Sequence, residues 1–281
     1  MSKKLSMPIL NRLLENAGDI ALRRRARTII EELDPKDGER ILDVGCGDGY
    51  YLYLLFLLKL DLKLVGVDND RRALESARKN LKTDVKLVEA DLIKELPFKD
   101  ETFDKVVASE VVEHLAYDAQ GLKEVYRVLK TGGVAAISVP NYNFPFLWDP
   151  VNWILQNIFG THVKTGFWAG IWNQHLRLYN PIEIKRVVEK VGFKVQKTYV
   201  QTFWSLPFNH YLINLGARVL SKGTLPGLIT GANKFKEEEK KSFIPKLYFF
   251  MTNLFDKLND LWIPKNTGVS IVLTARKDDN V

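Results

Sequence analysis

Three titratable side chains follow an apolar stretch in ASEVVEHLAY, residues 108–117. Glu110, Glu113 and His114 place two carboxylates and an imidazole close together, a set that can transfer protons or bind a metal. Residues 103–109 (FDKVVAS) have the character of a buried strand, so the three side chains fall where that strand ends. A solvated helix start is the alternative, because carboxylates are favoured beside the first turn of a helix.

A second segment, ILDVGCGDGYY (residues 41–51), has the glycine-rich pattern of a ligand-binding loop. Gly45, Gly47 and Gly49 lie between a predicted strand and an apolar helix, where glycines let a ligand approach free backbone N–H groups. A dinucleotide fingerprint places its third glycine at position 50, which is Tyr50 here. The spacing therefore argues against an NAD enzyme and for a nucleoside without the pyrophosphate.

Two further carboxylates end neighbouring predicted strands. Asp68 closes KLVGVD (63–68), and Asp91 closes VKLVEAD (85–91). Ligands of open α/β sheets bind at the carboxyl ends of the strands, so both side chains are expected at one crevice. There they can accept hydrogen bonds from a ribose diol and an exocyclic amine. The alternatives are a helix N-cap for Asp68 and a simple loop acid for Asp91.

These residues are positioned by strands and helices that alternate along the chain. The alternation predicts an α/β fold with a doubly wound, mostly parallel sheet, and the apolar strands suit burial on both faces. The pattern breaks after Pro140 and resumes where Asn180 and Pro181 fit the N-cap and first position of a helix. The predicted strands are residues 40–44, 63–68, 85–91, 103–109, 134–140, 194–201 and 268–276.

Together these motifs resemble the class I S-adenosylmethionine-dependent methyltransferases. DVGCGDG (43–49) matches their first motif, FDKVVASEVVEHL (103–115) their fourth-strand motif, and LKTGGVAAISVPN (129–141) the turn into their fifth strand. The resemblance covers residues 38–140, 175–200 and the last strand. It implies a seven-stranded Rossmann-like sheet, S-adenosylmethionine as cofactor and methyltransferase activity.

The resemblance also implies roles for individual residues. Asp68 matches the acid that binds the ribose hydroxyls, and Asp91 the residue that reads the adenine amino group. Glu110 is expected near the methionine moiety or the acceptor. The expected cofactor-binding residues are Asp43, Gly45, Cys46, Gly47, Gly49, Asp68, Asn69, Asp91, Leu92 and Glu110.

His114 and His175 are the candidate catalytic residues. His175 begins HLRLYNPIEIKRVVEKVGF (175–193), which resembles a segment of small-molecule methyltransferases whose histidine approaches the active site. A histidine satisfied by the backbone is the alternative. We expect no metal. However, Glu-x-x-Glu-His matches the pattern with which quinone-biosynthesis O-methyltransferases bind a divalent metal, so Mg²⁺ on Glu110, Glu113 and His114 is the alternative.

The two halves of the chain differ in charge and aromatic content. Of the net charge of +7, residues 1–140 carry −1 and residues 141–281 carry +8, and all six tryptophans lie in the second half. A basic, aromatic-rich half suggests an anionic or amphipathic partner. The alternative is a cap whose tryptophans pack on the core and whose lysines are solvated.

The chain divides into six regions. Two insertions follow the fifth and sixth strands, and both are expected to form an aromatic-rich helical lid over the crevice. The regions are an N-terminal helical region (1–37), a cofactor-binding core (38–140), a lid insertion (141–174), a core continuation (175–204), a second helical insertion (205–265) and the last strand with its tail (266–281).

Two predicted helices have alternative interpretations. Residues 5–33 are predicted helical, and their RRRAR segment (23–27) is expected to form a solvated face. The alternatives for this segment are binding of phosphates or RNA, or an arginine (Arg25 or Arg27) that reaches the methionine carboxylate. Residues 242–262 have apolar residues at helical spacing and are expected to pack against the domain. Membrane or substrate contact is the alternative, although a basic membrane-surface helix would not need Asp256 and Asp260.

The leading functional hypothesis is a cytoplasmic methyltransferase that acts by in-line displacement on a small or lipid-like, apolar acceptor. The alternatives are an RNA or protein methyltransferase that uses the basic half, and a non-catalytic cofactor-binding subunit. Residues 109–112 read SEVV, not the [DN]PP[YF] of enzymes acting on nucleobase amines, so nucleic acid is the less favoured partner. The single cysteine excludes an internal disulfide, and no signal sequence is expected. Peripheral membrane contact is an alternative to a purely cytoplasmic location.

Overall fold

Seven strands form one sheet in the computed structural model, which describes residues 6–15, 17–81, 85–209, 211, 234–235, 243–262 and 264–278. The strands are β1 (Arg40–Val44), β2 (Lys63–Asp68), β3 (Lys86–Glu89), β4 (Phe103–Ser109), β5 (Leu129–Pro140), β6 (Lys194–Gln201) and β7 (Ser270–Arg276). Their order is β3-β2-β1-β4-β5-β7-β6, and β7 runs antiparallel to both of its neighbours. The predicted mostly parallel, seven-stranded sheet is confirmed.

Helices cover both faces of the sheet. Val106 contributes to the core beneath one set of helices, and the next residue, Val107, contributes to the core on the opposite face. This burial on both faces explains the continuous apolar runs of the strands. The α-helices are α1 (Met7–Leu14), α2 (Ile20–Leu33), α3 (Tyr50–Leu57), α4 (Arg71–Leu81), α5 (Asp118–Val128), α6 (Pro150–Phe159), α7 (Pro181–Lys190) and α8 (Phe243–Leu261), with 3-10 turns at Val112–His114 and Phe167–Trp172.

The start of α7 is the predicted one. The Asn180 side chain accepts hydrogen bonds from the backbone N–H groups of Ile182 (3.0 Å) and Glu183 (2.9 Å), and the Glu183 carboxylate accepts one from the Asn180 N–H (3.0 Å). This reciprocal capping box fixes where the helix begins. It also fixes the end of the preceding segment, which contains His175.

Some predicted boundaries were wrong. Residues 5–33 are not one helix, since α1 ends at Leu14 and the Asp19 side chain caps α2 by accepting from the N–H groups of Ala21 and Leu22. β5 begins at Leu129, so the predicted turn at residues 131–133 lies within the strand, where its pairing with β4 is irregular. β3 and β7 are shorter than predicted.

The RRRAR segment does not form a solvated face. Arg23 is only 3% exposed and donates hydrogen bonds to the Ala17 carbonyl and to Asn253. Arg24 donates to the carboxylates of Asp256 (2.7 Å) and Asp260 (2.8 Å). The prediction failed because the helical spacing of the arginines does not show that the distant helix α8 packs against them.

Helix α8 packs through a more polar face than its sequence pattern indicates. Thr252, Asp256 and Asn259 are buried together with Phe249. Much of the predicted apolar stripe is instead exposed in the part of the chain that the structure describes, at Leu247, Leu254, Leu261 and Trp262. Among the described residues, no helix combines the length and apolar character needed to cross a membrane.

The buried contact between α2 and α8 gives a stability prediction. Asp256→Ala removes the buried carboxylate that Arg23 and Arg24 share and leaves Arg24 with Asp260 alone. Breaking a buried pair in this way typically costs about 3 to 5 kcal/mol. Asp260→Ala is the matched control, because Asp260 binds the same Arg24 but its side chain is 60% exposed. We expect the control to lose at most about 1 kcal/mol in denaturant unfolding. Equal losses in the two variants would contradict the assigned burial.

Candidate functional site

Six strand ends meet at one edge of the sheet. β1, β2, β3, β4 and β5 are parallel, and β6 has the same direction as β5 because both are antiparallel to β7. The glycine-rich loop, the segment after β4 and the starts of both insertions therefore leave the sheet at this edge. This is the edge at which open α/β sheets bind ligands.

The glycine-rich loop has one packed side and one open side. Gly45, Gly47 and Gly49 all have positive φ (65°, 54° and 86°), a conformation that side chains disfavour. A Cβ on Gly45 would lie 2.6 Å from Cγ2 of Val111, whereas a Cβ on Gly47 would meet nothing within 4 Å. The loop thus packs against the segment after β4 and leaves room beside the Gly47 backbone for a ligand.

Asp68 connects the end of β2 to this loop. Its Oδ2 accepts a hydrogen bond from the Gly47 N–H (2.8 Å), and its Oδ1 accepts one from the Asp70 N–H (2.9 Å). The N-cap interaction considered for Asp68 is made by Asp70, which accepts from the Arg72 N–H at 2.8 Å. Asn69, between the two acids, is exposed. The Asp68 carboxylate therefore stands beside the open face of the loop.

Asp91 lies beyond the end of β3, next to β2 in the sheet. Glu89 pairs with Asp68, which places Asp91 two residues past that level. Its Oδ1 accepts from the Ile93 N–H (3.2 Å), its carboxylate remains partly exposed, and Leu92 is buried. Asp68 and Asp91 thus lie on adjacent loops, as expected for two ends of a nucleoside.

Asp43 and Cys46 lie beneath the loop. Asp43 is 1% exposed, and burial, followed by the charges of Asp68 and Asp48, raises the pKa of its carboxyl well above the usual value. Burial likewise raises the pKa of the Cys46 thiol, so this cysteine is protonated at neutral pH. Direct contact of these two side chains with a cofactor stays a prediction.

Glu110 is held in an unusual backbone conformation after β4. Its φ is +55°, and its N–H donates to the Ser138 carbonyl at 3.0 Å. One side-chain oxygen accepts from the Ser138 hydroxyl (3.2 Å), and the other lies 3.2 Å from Nη1 of Arg25. Non-glycine residues with positive φ are concentrated at functional sites. Arg25 and Arg27 were the candidates for binding the methionine carboxylate, and Arg25 is the one that contacts Glu110.

The pair of Arg25 and Glu110 belongs to a buried polar network. Arg25 also donates to the Ser270 hydroxyl (3.1 Å), and the Ser109 hydroxyl donates to that of Tyr51 (2.9 Å). Although burial lowers the pKa of the Arg25 guanidinium, the charge of Glu110 and the proximity of Tyr51 raise it on balance. Arg25 is therefore a fixed positive charge close to the carboxyl ends of β4 and β5.

Glu113, His114 and His175 form a compact cluster. The Glu113 side chain is completely buried, and within the described residues neither of its carboxylate oxygens meets a hydrogen-bond donor from another residue. Its Oε1 lies 3.7 Å from Nε2 of His114 and 3.8 Å from Nε2 of His175. Burial, followed by the charge of Glu110, raises the pKa of Glu113 well above its usual value.

Backbone contacts bring the two histidines together. Nδ1 of His114 lies 3.0 Å from the Gln174 carbonyl oxygen, and Nδ1 of His175 lies 2.5 Å from that of Ile171. The Leu176 N–H donates to the Glu113 carbonyl at 3.2 Å. A backbone carbonyl therefore satisfies Nδ1 of His175, as the alternative interpretation of this histidine predicts, while its Nε2 faces Glu113. Glu110 lies outside this cluster of potential metal ligands.

The first insertion packs against α2 and exposes part of its apolar surface. Phe144, Trp148, Ile171 and Trp172 form a buried cluster with Ala21 of α2. Its exposed apolar side chains include Phe146, Ile154, Ile158, Phe159 and Trp168. Some of its aromatic side chains thus pack on the core, as the alternative of a simple cap predicts. A lid function for the exposed aromatic side chains stays a prediction.

One described part of the second insertion contacts the glycine-rich loop. Nζ of Lys234 lies 2.8 Å from the Asp48 carboxylate, and the Phe235 ring packs edge-on against Tyr50 and Tyr53. These contacts place residues 234–235 beside the start of α3. Residues 212–233 and 236–242, the remainder of the predicted helical insertion before α8, lie outside the described residues.

Comparison with known proteins agrees with the motifs. The sequence model of a family described as "Methyltransferase domain" matches residues 42–137. A probable S-adenosylmethionine-dependent methyltransferase of Mycolicibacterium smegmatis is 30% identical over 162 residues, covering 57% of this chain and 54% of that protein. Demethylmenaquinone methyltransferase of Thermus thermophilus is 36% identical over 128 residues, covering 44% and 56%. The chain spans about half the length of the curated relatives it matches.

The fold is also similar to that of solved structures. The crystal structure of an S-adenosylmethionine-dependent methyltransferase from Thermotoga maritima superposes with a TM-score of 0.56, covering 95% of this chain and 92% of that one. Sequence identity over this superposition is 18%, so it supports the architecture alone.

The buried carboxyl of Asp43 gives a prediction for stability against pH. Because its pKa is higher in the folded chain than in the unfolded one, ionisation opposes folding as pH rises above about 3.9. We expect Asp43→Asn to gain stability relative to the unsubstituted protein, by up to about 1.4 kcal/mol per pH unit within the window between the two pKa values. Below that window the difference is constant. Denaturant unfolding of both proteins from pH 4 to 8 measures this difference in the free energy of unfolding.

The matched control is Asp104→Asn. Burial alone would raise the pKa of Asp104, but hydrogen bonds from the Arg40 N–H and from Lys130 lower this pKa on balance. The stability that Asp104 contributes is therefore present at neutral pH and lost as pH falls, so its variant should show the opposite trend. A pH-independent difference for Asp43→Asn would contradict the assigned state of this carboxyl.

Proposed function

We propose, on the premise that this chain belongs to the class I S-adenosylmethionine-dependent methyltransferases, that it transfers a methyl group to a small or lipid-like, apolar acceptor. The observation that carries the proposal is the loop containing Gly47, which has open space beside the Gly47 backbone and the Asp68 carboxylate next to that space. This arrangement fits a nucleoside with a ribose diol and no pyrophosphate.

The described residues fit S-adenosylmethionine along its whole length. Asp68 would accept from the ribose hydroxyls and Asp91 from the adenine amine, while the backbone near Gly47 leaves room for the nucleoside. At the methionine end, Glu110 would contact the amino group and Arg25 the carboxylate, since each carries the complementary charge. Bound in this way, the cofactor supplies a methyl group activated by a positively charged sulfur.

The contribution of the protein to the rate is alignment and exclusion of water. A displacement at a sulfonium methyl needs little acid–base assistance, and positioning provides much of its acceleration. A base is needed only if the acceptor must first lose a proton. His114 and His175 are the candidates for that role, because they lie on the segments after β4 and before α7 that border the crevice.

The apolar nature of the acceptor is supported by the first insertion. It begins at the end of β5, at the edge that carries the glycine-rich loop, and exposes Phe146, Ile158 and Trp168. Exposed apolar groups in such number favour contact with an apolar molecule over contact with solvent. The similarity to a relative named demethylmenaquinone methyltransferase points in the same direction.

RNA or protein is the second acceptor class, favoured by the basic second half and by the RRRAR segment of the first. The structure weakens the argument from RRRAR, because Arg23, Arg24 and Arg25 are engaged within the chain rather than presented to a polyanion. Binding of RNA that falls steeply with salt would favour this class. Cofactor binding without methyl transfer to any fraction would favour a non-catalytic subunit.

Replacing Asp68 tests the cofactor site directly. We expect Asp68→Ala to weaken binding of S-adenosylmethionine by about 10- to 100-fold in calorimetry, because charge-assisted hydrogen bonds to the ribose are lost. Asp70→Ala is the control, since the Asp70 side chain accepts from the Arg72 N–H at the start of α4 and its loss should lower stability by about 1 kcal/mol with little effect on cofactor affinity. Unchanged affinity in Asp68→Ala would refute the ribose assignment.

The acceptor class is tested with methyl-labelled cofactor and a fractionated cell extract. We expect label in the lipid or organic-soluble small-molecule fraction with the unsubstituted protein and greatly reduced label with Asp68→Ala. Label confined to RNA or protein would overturn the apolar acceptor. No label in any fraction, despite cofactor binding, would overturn the transfer activity.

A further inference from the structure

We propose that helix α8 binds the surface of an anionic lipid bilayer through an outward apolar face. The side chains of this outward face are between 48% and 80% exposed, and they are Leu247, Phe250, Leu254 and Leu261. Their intervals of three, four and seven residues place them along one stripe of the helix. Exposed apolar side chains that align in this way mark an interaction surface, whereas scattered ones do not. The inference goes beyond the proposed function and does not depend on it.

The opposite face attaches α8 to the domain. Its buried side chains are Phe249, Thr252, Asp256 and Asn259. The Asn259 side-chain oxygen accepts hydrogen bonds from the backbone N–H groups of Phe203 (2.8 Å) and Trp204 (2.9 Å). A helix on the surface of a globular domain usually turns its apolar stripe inward and its polar side outward. In α8 mostly polar groups hold the helix in place, so the apolar stripe is not needed for this attachment and faces outward.

The two acids of α8 are compatible with binding to an anionic surface. On sequence alone, Asp256 and Asp260 argue against a basic membrane-surface helix. In the structure both carboxylates bind the Arg24 guanidinium, at 2.7 and 2.8 Å, and Asp256 also lies 3.4 Å from Nη1 of Arg23. These acids are therefore balanced by arginines of α2 and serve to attach the helix. Among the described residues of α8, no other side chain carries a negative charge.

Exposed lysines border the outward face and give it the charge that anionic lipids attract. Lys246 and Lys257 are eleven residues apart, about three turns, so both lie on the same border of the stripe. Lys265, also exposed, follows the end of the helix. Lysines in such positions attract anionic headgroups, and their apolar stems can lie along the acyl boundary. In a symmetric contact between two copies of this face, the lysines would meet no unpaired carboxylate on the described part of α8. Charge complementarity therefore favours an anionic bilayer over a second copy.

Exposed aromatic side chains lie beside both ends of α8. At the C-terminal end, the exposed Trp262 ring packs edge-on against that of Phe203, with centroids 5.6 Å apart. Near the N-terminal end, the Tyr248 hydroxyl donates to the side-chain oxygen of Asn209 (3.3 Å), and the preceding Phe208 is exposed. Aromatic side chains, tryptophan above all, are favoured at the boundary between headgroups and acyl chains. The aromatic side chains around α8 thus fit the same partner as its lysines.

Helix α2 connects the outward face of α8 with the crevice. Arg24 of α2 binds α8, while the next residue, Arg25, contacts Glu110 at the crevice. The stripe runs along the helix axis, so α8 would lie in the plane of the bilayer surface, as amphipathic surface helices do. With the lipid-like acceptor of the proposed function, this docking would hold the crevice near the membrane that contains the acceptor. The docking itself needs neither cofactor nor acceptor.

The test measures binding of the full chain to lipid vesicles by flotation. We expect binding to vesicles that contain phosphatidylglycerol, weakening as salt rises, and much weaker binding to vesicles of phosphatidylcholine alone. Phe250→Gln should weaken binding by about 10-fold, because insertion of its ring contributes to the affinity. Lys246→Glu combined with Lys257→Glu should weaken binding to the anionic vesicles by at least about 10-fold, because attraction to the headgroups is lost.

The matched controls lie on α5 and α7, which pack on the face of the sheet opposite to α2. Ile182→Gln replaces a side chain that is 63% exposed, against 65% for Phe250. Lys123→Glu combined with Lys185→Glu changes the net charge as much as the double lysine variant of α8 does. Both controls should bind the vesicles like the unsubstituted protein. Since all of these side chains are exposed, each variant should fold, which circular dichroism checks.

Three results would overturn the bilayer-binding face. They are absence of binding to either kind of vesicle, equal binding by the α8 variants and the controls, and a dimer that Phe250→Gln dissociates in sedimentation velocity. The dimer would identify the outward face as a subunit interface. S-adenosylhomocysteine binding is measured separately by calorimetry without lipid. Absence of vesicle binding with intact S-adenosylhomocysteine binding overturns the docking alone, and the reverse pattern overturns the proposed function alone.

Discussion

The direction of the strands is the constraint on which the rest of the structure depends. Because β1 to β6 run the same way, their carboxyl ends deliver the glycine-rich loop, Asp68, Asp91 and the segment after β4 to one edge of the sheet. The crossover helices bury the strands on both faces, so this edge is where polar groups can gather without disrupting the core. The hydrogen bond from the Gly47 N–H to Asp68 then fixes the loop and the second strand relative to one another.

Buried ion pairs of helix α2 connect the segments at the Glu110 end of the crevice. Arg25 reaches from α2 to Glu110, and Arg23 and Arg24 of the same helix bind α8. One basic segment therefore connects the N-terminal helices, the second insertion and the methionine end of the expected cofactor site. Buried ion pairs need not add much stability relative to apolar packing, but losing one partner is strongly unfavourable. These contacts fix the position of the helix as well as its stability, and they keep Arg23, Arg24 and Arg25 from binding a polyanion.

What the sequence predicts here depends on how local the responsible contacts are. The glycine-rich loop, Asp68 at the end of its strand and the Asn180 capping box involve neighbours in the chain, and their spacing reveals them. Contacts such as Arg23 with Asp256 or His175 with Glu113 join distant segments, and no periodic pattern encodes them. The face through which helix α8 packs was not predicted for the same reason, because its apolar stripe gives no sign that Asp256 and Asn259 face the domain. His114 and His175 were selected from separate motifs, and the fold places both beside the Glu113 carboxylate.

We expect the open face beside Gly47 to hold the nucleoside of S-adenosylmethionine. A crystal structure of the protein with S-adenosylhomocysteine tests this most directly. In it the ribose hydroxyls should bind the Asp68 carboxylate, the adenine amine should face Asp91, and the amino-acid end should reach Arg25 and Glu110. Density for the nucleoside at another place, or an Asp68 side chain without contact to the ribose, would contradict it.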